Sequence, residues 1–336
     1  MTMLAADSRE RRAMPGLSPS LKATLTDRAP ILIPVAMLIL LVAIYASLRE
    51  GVFTLDELNL DTAAALTLVL AATGQTIVLL RGGIDLSIGG TISLGTVLAA
   101  TQFRDDPAHV ALWTVLILVI GALVGVVNGV LITALRLQPF LVTLATWSIL
   151  SGTALIILPI DGGGLPSFWM AFGSGNWLGL SSAVWLLAVL VLFWLWFRRT
   201  RLGIAIRATG SNERSAFLSG VSPLGINIAT YALSGLFAAL AALYLTTQTG
   251  AGSPTIGKDY ILPSVAAAVI GGISLFGGRG GLVGTVIGAF ILTIIGNLVF
   301  VLEVSSYWQP IVSGIILLVA VLASSIAEKS ARRSLS

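Results

Sequence analysis

Side chains able to do acid–base, nucleophilic or metal chemistry are nearly missing from this 336-residue chain. There is no cysteine and one histidine, His109, which excludes disulfides, thiolate centres and any multi-histidine metal cluster. What stands out instead is LLRGGIDLSIGGTISLG, Leu79 to Gly95, in a chain of which only 10% is charged. Arg81 and Asp85 lie four residues apart there, framed by Gly82–Gly83 and Gly89–Gly90, between two apolar blocks. The glycine pair predicts a tight hairpin between two helices. Asp85 stands where the second helix must start, and its carboxylate suits an N-cap accepting from the N–H of Ser87 or Ile88. Arg81 is near enough in sequence to offset its charge. A second reading, an intramembrane carboxylate that binds a proton or cation, stays open.

Neutral polar side chains are the other chemistry present. Gln75, Asn128, Thr143, Thr146, Trp147, Ser148 and Asn297 fall inside apolar stretches. That palette suits passage of a neutral, hydroxyl-rich solute, although each residue equally serves to join helices. A proton- or sodium-coupled carrier keeps several membrane charges, and here Asp85 is the sole candidate. Residues 252–259, GSPTIGKD, imitate a phosphate-cradling loop but place Asp259 where Ser or Thr must hold magnesium. GSGNWLG at 173–179 lacks the strand–turn–helix context of a dinucleotide site. No nucleotide site is therefore expected, and any ATP hydrolysis belongs to another chain.

The elements carrying these residues are read from hydropathy. The chain is 56% hydrophobic, with mean hydropathy +0.99, and a span needs about 20 apolar residues. Ten spans are expected, near 30–48, 60–80, 86–101, 110–135, 140–158, 183–199, 225–247, 260–275, 281–301 and 308–326. Backbone in lipid must satisfy its own hydrogen bonds, so the expected fold is all-α and polytopic. A polar tail over 1–29 precedes a transmembrane domain over 30–326, and a second tail covers 327–336. The first segment has the wrong order for a cleavable signal peptide.

Ten spans with both termini inside place sixteen of the 19 basic residues on the inner side, leaving Arg49, Arg104 and Lys258 outside. That bias follows the positive-inside rule, so both ends are expected in the cytoplasm. The net charge of +4 then reflects topology and implies no nucleic acid partner. An inner loop over 198–224 holds Arg198, Arg199, Arg201, Arg207 and Arg214, with a short helix expected between Ser211 and Gly220. Glu213, Ala216, Phe217 and Gly220 give that helix an apolar face suited to a partner. NGVLITALRLQP (128–139) and NLVFVLEVSSYWQP (297–310) each run from Asn to Gln-Pro. They fall in oppositely directed spans, as two inverted five-helix halves would have them.

Five stretches together resemble one family, the permease subunits of ribose/galactose-type (monosaccharide) ABC importers of bacteria, the carbohydrate uptake class 2 family. They are GGIDLSIGGTISLG (82–95), NGVLITALRLQPFLVTLATWSILSGTAL (128–155), TGSNERSAFLSGV (209–221), AAAVIGGISLFGGRGGLVGTVIGA (266–289) and SSYWQPIVSGIILLVAVL (305–322). The resemblance implies a transport subunit, not an enzyme, in the bacterial inner (plasma) membrane. Its partners would be a cytoplasmic ABC ATPase, a periplasmic sugar-binding protein, a second permease copy or paralogue, and membrane lipid. ATP and magnesium would sit on the ATPase, with no cofactor on this chain. A coupling helix of pattern N-E-x-A-A-x-x-S-G is matched by Asn212, Glu213, Ala216, Ser219 and Gly220, flanked by Arg214, with Ser215 replacing the first alanine. Arg81, Gly82, Gly83 and Asp85, with Gly277, Gly278, Arg279 and Gly280, would form structural hairpins. Alternatives are a ten-helix ion-coupled secondary carrier, or an ABC permease for nucleosides or branched-chain amino acids.

Overall fold

Helix starts are written plainly in the chain. Pro107, Pro139 and Pro223 each occupy a first helical turn, where a missing N–H costs nothing. Thr54, Asp106, Thr200, Asn212 and Ser222 accept hydrogen bonds from first-turn N–H groups as side-chain caps. The structure, a computed structural model, describes residues 19–305 and, beyond them, Tyr307, Trp308, Ile311, Gly314, Ile315 and Leu318. The expected tenth span (308–326), apart from those isolated positions, and the tail at 327–336 lie outside the described residues, as do residues 1–18.

The elements are α1 (Pro19–Leu48), α2 (Leu55–Arg81), α3 (Ser87–Gln102), α4 (Pro107–Ala134), α5 (Pro139–Ile157), α6 (Ser167–Ser174), β1 (Asn176–Trp177), β2 (Leu180–Ser181), α7 (Ser182–Phe197), α8 (Arg201–Ser211), α9 (Glu213–Leu218), α10 (Pro223–Thr249), α11 (Lys258–Ile270) and α12 (Leu282–Val301). Six of them are long and apolar enough to cross a membrane: α1, α2, α4, α5, α10 and α12. A bend of 73° joins α7 to α8, and the pair together forms a seventh candidate. The chain is an all-α polytopic membrane protein; β1 and β2 form only a two-residue antiparallel pair.

Each of the first nine expected spans contains one helix, with differences that have physical causes. α1 reaches back to Pro19, into the segment expected as a polar tail. The expected span at 260–275 stops at Ile270, because Gly271 and the left-handed Gly272 (φ +85°) end α11 after 13 residues. α3, at 16 residues, is about 24 Å long. Both short helices lie inside the bundle, where their neighbours cover backbone that would otherwise face lipid. The 198–224 segment is not an open loop, since α8 and α9 occupy most of it.

Packing crosses the middle of the chain. α10 lies against α3 and α4, while α2 lies against α11 and α12, and α2 and α10 pack on each other. Small residues permit the closest contact: Gly121, Gly125 and Gly129 recur every fourth position on α4 and meet α10 backbone from Asn227 to Gly235. A Cβ at Gly125 would collide with the Tyr231 carbonyl. Van der Waals fit of this kind is what drives helix association where lipid is as apolar as leucine. Gly90 and Gly95 do the same on α3, against α5 and α10.

Candidate functional site

The opening motif builds a polar node inside the bundle. Gly82 (φ +91°) ends α2 in a left-handed cap whose N–H returns to the Leu79 carbonyl at 2.9 Å. Asp85, 1% exposed, then precedes α3. Its Oδ1 accepts from the Ser87 N–H at 2.9 Å and the Ser87 hydroxyl at 2.5 Å, while Oδ2 accepts from the Ser234 hydroxyl on α10 at 2.7 Å. Asn128 on α4 donates to the Ser87 hydroxyl at 2.9 Å, and Thr146 on α5 donates to Asn128 Oδ1 at 2.6 Å. One carboxylate thus ties α3, α4, α5 and α10 through neutral donors.

The expected bond from the Ser87 N–H to Asp85 is present, but Leu86, without a side-chain cap, holds the N-cap position of α3. Arg81 does not offset Asp85: its guanidinium pairs with Glu213 at 3.1 Å. Residues 81–85 do form the expected tight turn between α2 and α3. Beyond the turn itself α3 hardly touches α2, and packs chiefly on α5 and α10. The second glycine motif, Gly277–Gly280, meets the first. The Gly278 N–H donates to the Leu80 carbonyl at 2.8 Å, and Gly277 (φ +87°) lies against Gly82 and Gly210. Arg279 is exposed, and its carbonyl accepts from the Ser274 N–H at 3.2 Å.

Above this junction sits α9. The Asn212 side chain caps it at the Ser215 N–H, 2.9 Å. Gly220 (φ +85°) ends it, with Gly220 N–H to Phe217 O (2.9 Å) and Val221 N–H to Ala216 O (3.1 Å). Two of the five matched coupling residues therefore set the helix's ends. Ala216 is buried, contrary to its expected place on a partner-facing surface. The exposed apolar side chains are Phe217 (59%) and Leu218 (78%), beside exposed Arg214, Ser215 and Ser219. A cleft of about 650 Å³ opens next to α9, walled by Arg81, Arg136, Glu213, Asn227 and Tyr231 among others.

The remaining candidates are scattered. Thr143 donates to the Pro139 carbonyl within α5 at 2.9 Å and also reaches the Ile84 carbonyl, in the turn before α3, at 3.3 Å. Trp147 offers its backbone to Gly90. Gln75 is fully buried in α2, with neither amide atom hydrogen-bonded among the described residues. Asn297 donates to Asp61 at 2.7 Å and so joins α12 to α2, apart from the Asn128 cluster. Asn128 and Thr146 act as joints between helices. Sequence reasoning missed Ser234, Tyr231 and the Glu213 partnership of Arg81. A lone serine in an apolar helix carries no signal of its partner, and the Arg81–Glu213 contact depends on the fold. No group of three or more His, Asp or Glu able to hold a metal occurs among the described residues.

Residues 62–321 match the family model described as "Branched-chain amino acid transport system / permease component". The ribose import permease protein RbsC of Escherichia coli (strain K12) is 38% identical over 293 residues, covering 85% of this chain and 90% of that protein. RbsC of Bacillus subtilis (strain 168) is 38% identical, covering 80% and 84%. The autoinducer 2 import system permease protein LsrC of Photorhabdus laumondii is 32% identical, covering 80% and 81%. No solved structure matches significantly. With a family model running through α2 to α12 and relatives of this identity along most of their length, the chain belongs to the family of transport-system permease components that includes the ribose import permeases.

Proposed function

We propose that this chain is the membrane subunit of an ATP-driven importer, passing a monosaccharide or similar polyhydroxylated solute from a periplasmic binding protein into the cytoplasm across the bacterial inner membrane. The observation that carries this is the 38% identity to a ribose import permease over 90% of that protein's length. A separate ATPase holds ATP and magnesium and docks on α9. Its closure would drive α9, and through Glu213–Arg81 the end of α2, so that the bundle alternates between outward and inward access.

Several observations support the finer architecture. The exchange in which α2 packs on α11 and α12 while α10 packs on α3 and α4 is what two interlocked inverted halves would produce. Ten helices with cytoplasmic termini suit the sixteen basic residues that this topology assigns to the inner side. Arg136 (φ +52°) and Glu303 (φ +54°) follow α4 and α12 alike, each two residues past the last helical one. A second permease, identical or paralogous, would complete the pathway. The family description names branched-chain amino acids, so leucine is the competing cargo.

The test is reconstitution of the chain with its neighbouring ATPase and binding protein in vesicles. Ribose uptake that requires ATP and ignores an uncoupler is expected. Leucine uptake in its place would reassign the cargo, and solute accumulation by the chain alone on an ion gradient would overturn the reading.

A further inference from the structure

On the bundle face opposite α9, one segment differs from its surroundings. Residues 162–197 contain no Asp, Glu, Lys, Arg or His, whereas other segments on that face carry Arg49, Glu50, Asp56, Arg104, Asp105, Asp106, Lys258 and Asp259. Within this segment β1 and β2 form a hairpin whose turn residues, Leu178 (φ +56°) and Gly179 (φ +82°), are both left-handed. That conformation costs a leucine about 1–2 kcal/mol. Yet the Leu178 side chain is 92% exposed and gains nothing from its own protein. Trp177 beside it is 54% exposed. The tip prolongs an aromatic ladder from Phe103 through Trp169 and Phe172 to Trp177, with successive ring centroids 5.0, 6.2 and 6.2 Å apart.

Two tethers fix the depth of this unit. Asn59, four residues into α2, donates to the Gly179 carbonyl at 3.1 Å and accepts from the Ser181 N–H at 2.8 Å. The Trp169 indole donates at 3.0 Å to the hydroxyl of Thr246, three residues before α10 ends. At 1.5 Å per residue both tethers lie roughly 5 Å inside their helix ends. α2 and α10 are 27 residues each, about 40 Å, against a hydrocarbon core of about 30 Å. The tethers therefore fall at the boundary between headgroups and acyl chains, the depth at which an indole satisfies both its ring and its N–H.

We propose that the hairpin Asn176–Ser181, with Trp177 and Leu178 at its tip, is an interfacial lipid anchor seated in the leaflet opposite α9 and fastened to α2 and α10. Lipid is favoured over a protein partner because the segment offers no charge with which to orient a soluble surface, while the loops around it carry charges of both signs.

The absence of cysteine makes the test clean. Leu178→Cys in the full chain, labelled with an environment-sensitive fluorophore, is placed in phosphatidylcholine–phosphatidylglycerol vesicles. Quenching by phosphatidylcholine brominated near the ester end of its chains is compared with quenching by iodide, and Asp105→Cys serves as the water-exposed reference. Lipid quenching at 178 about twofold or more above that at 105, with iodide weaker at 178, is expected. Iodide quenching equal to that at 105, or protection from both quenchers as burial against a protein would give, overturns the proposal. Trp177→Cys gives the same reading should the first variant fail to insert.

Discussion

Asp85 is a buried carboxyl held by hydroxyl and backbone donors, and its neighbours explain how. Three donors from Ser87 and Ser234 converge on its two oxygens, and Asn128 and Thr146 stiffen those donors from outside. A buried donor left without its acceptor costs about 1–3 kcal/mol. Asp85→Ala strands Ser87 and Ser234 together, so it should destabilise the chain by about 3 kcal/mol or more and lower its apparent melting temperature sharply in nanodiscs. Asp85→Asn keeps one acceptor oxygen and should fall between Ala and wild type. Combining Asp85→Asn with Ser234→Ala should cost less than the sum of the two, since they share a bond. Additive losses would mean that the Ser234 contact carries no energy. Sequence alone made Asp85 a cap with Arg81 as its counter-charge. The bond to the Ser87 N–H was legible because Asp before a helix start has a local cause, although the N-cap itself is Leu86. The counter-charge was not, because four residues in sequence are not neighbours across the left-handed Gly82.

At the scale of elements, α9 separates what the chain needs for folding from what it offers a partner. Asn212 and Gly220 set its ends, Ala216 packs inward, and Phe217 and Leu218 project. A substitution at Ala216 therefore confounds docking with packing, whereas Phe217→Asp changes an exposed surface alone. Phe217→Asp should leave the melting temperature within about a degree of wild type, as exposed changes do. It should also cut ATPase co-purification by roughly tenfold, the loss expected of an aromatic anchor. Full co-purification would place the docking surface elsewhere. Most helix boundaries were readable to within a few residues because Pro107, Pro139 and Pro223 announce them. α8 was not, since its Arg201 and Arg207 read as a solvated loop. Its packing face is made by Gly203, Ile206, Thr209 and Gly210, the last set against the Leu80 carbonyl. Contacts between small residues leave no hydropathy signature.

For the molecule as a whole, the interlock has a consequence for folding. α4 finds its closest mate in α10, beyond the middle of the chain, and α2 depends likewise on α11 and α12. Glycines at 121, 125 and 129 leave α4 with no side-chain bulk on that face, so without α10 it presents a bare backbone groove. Two halves built this way cannot satisfy their packing separately, however apolar each is. Gly220 offers a place to test this: it is exposed, and a Cβ there meets nothing within 4 Å. Fragments 1–220 and 221–336, expressed separately with tags, should be degraded or yield protease-sensitive material in the membrane fraction. Expressed together they should accumulate, resist protease and co-purify. The readout is the membrane-bound amount of each tag with and without the other fragment. A first fragment that accumulates alone and withstands protease would mean that α2 to α5 form a self-sufficient bundle. The α4–α10 contact would then be a seam between independent units, and coupling from α9 would have to travel along α2 alone.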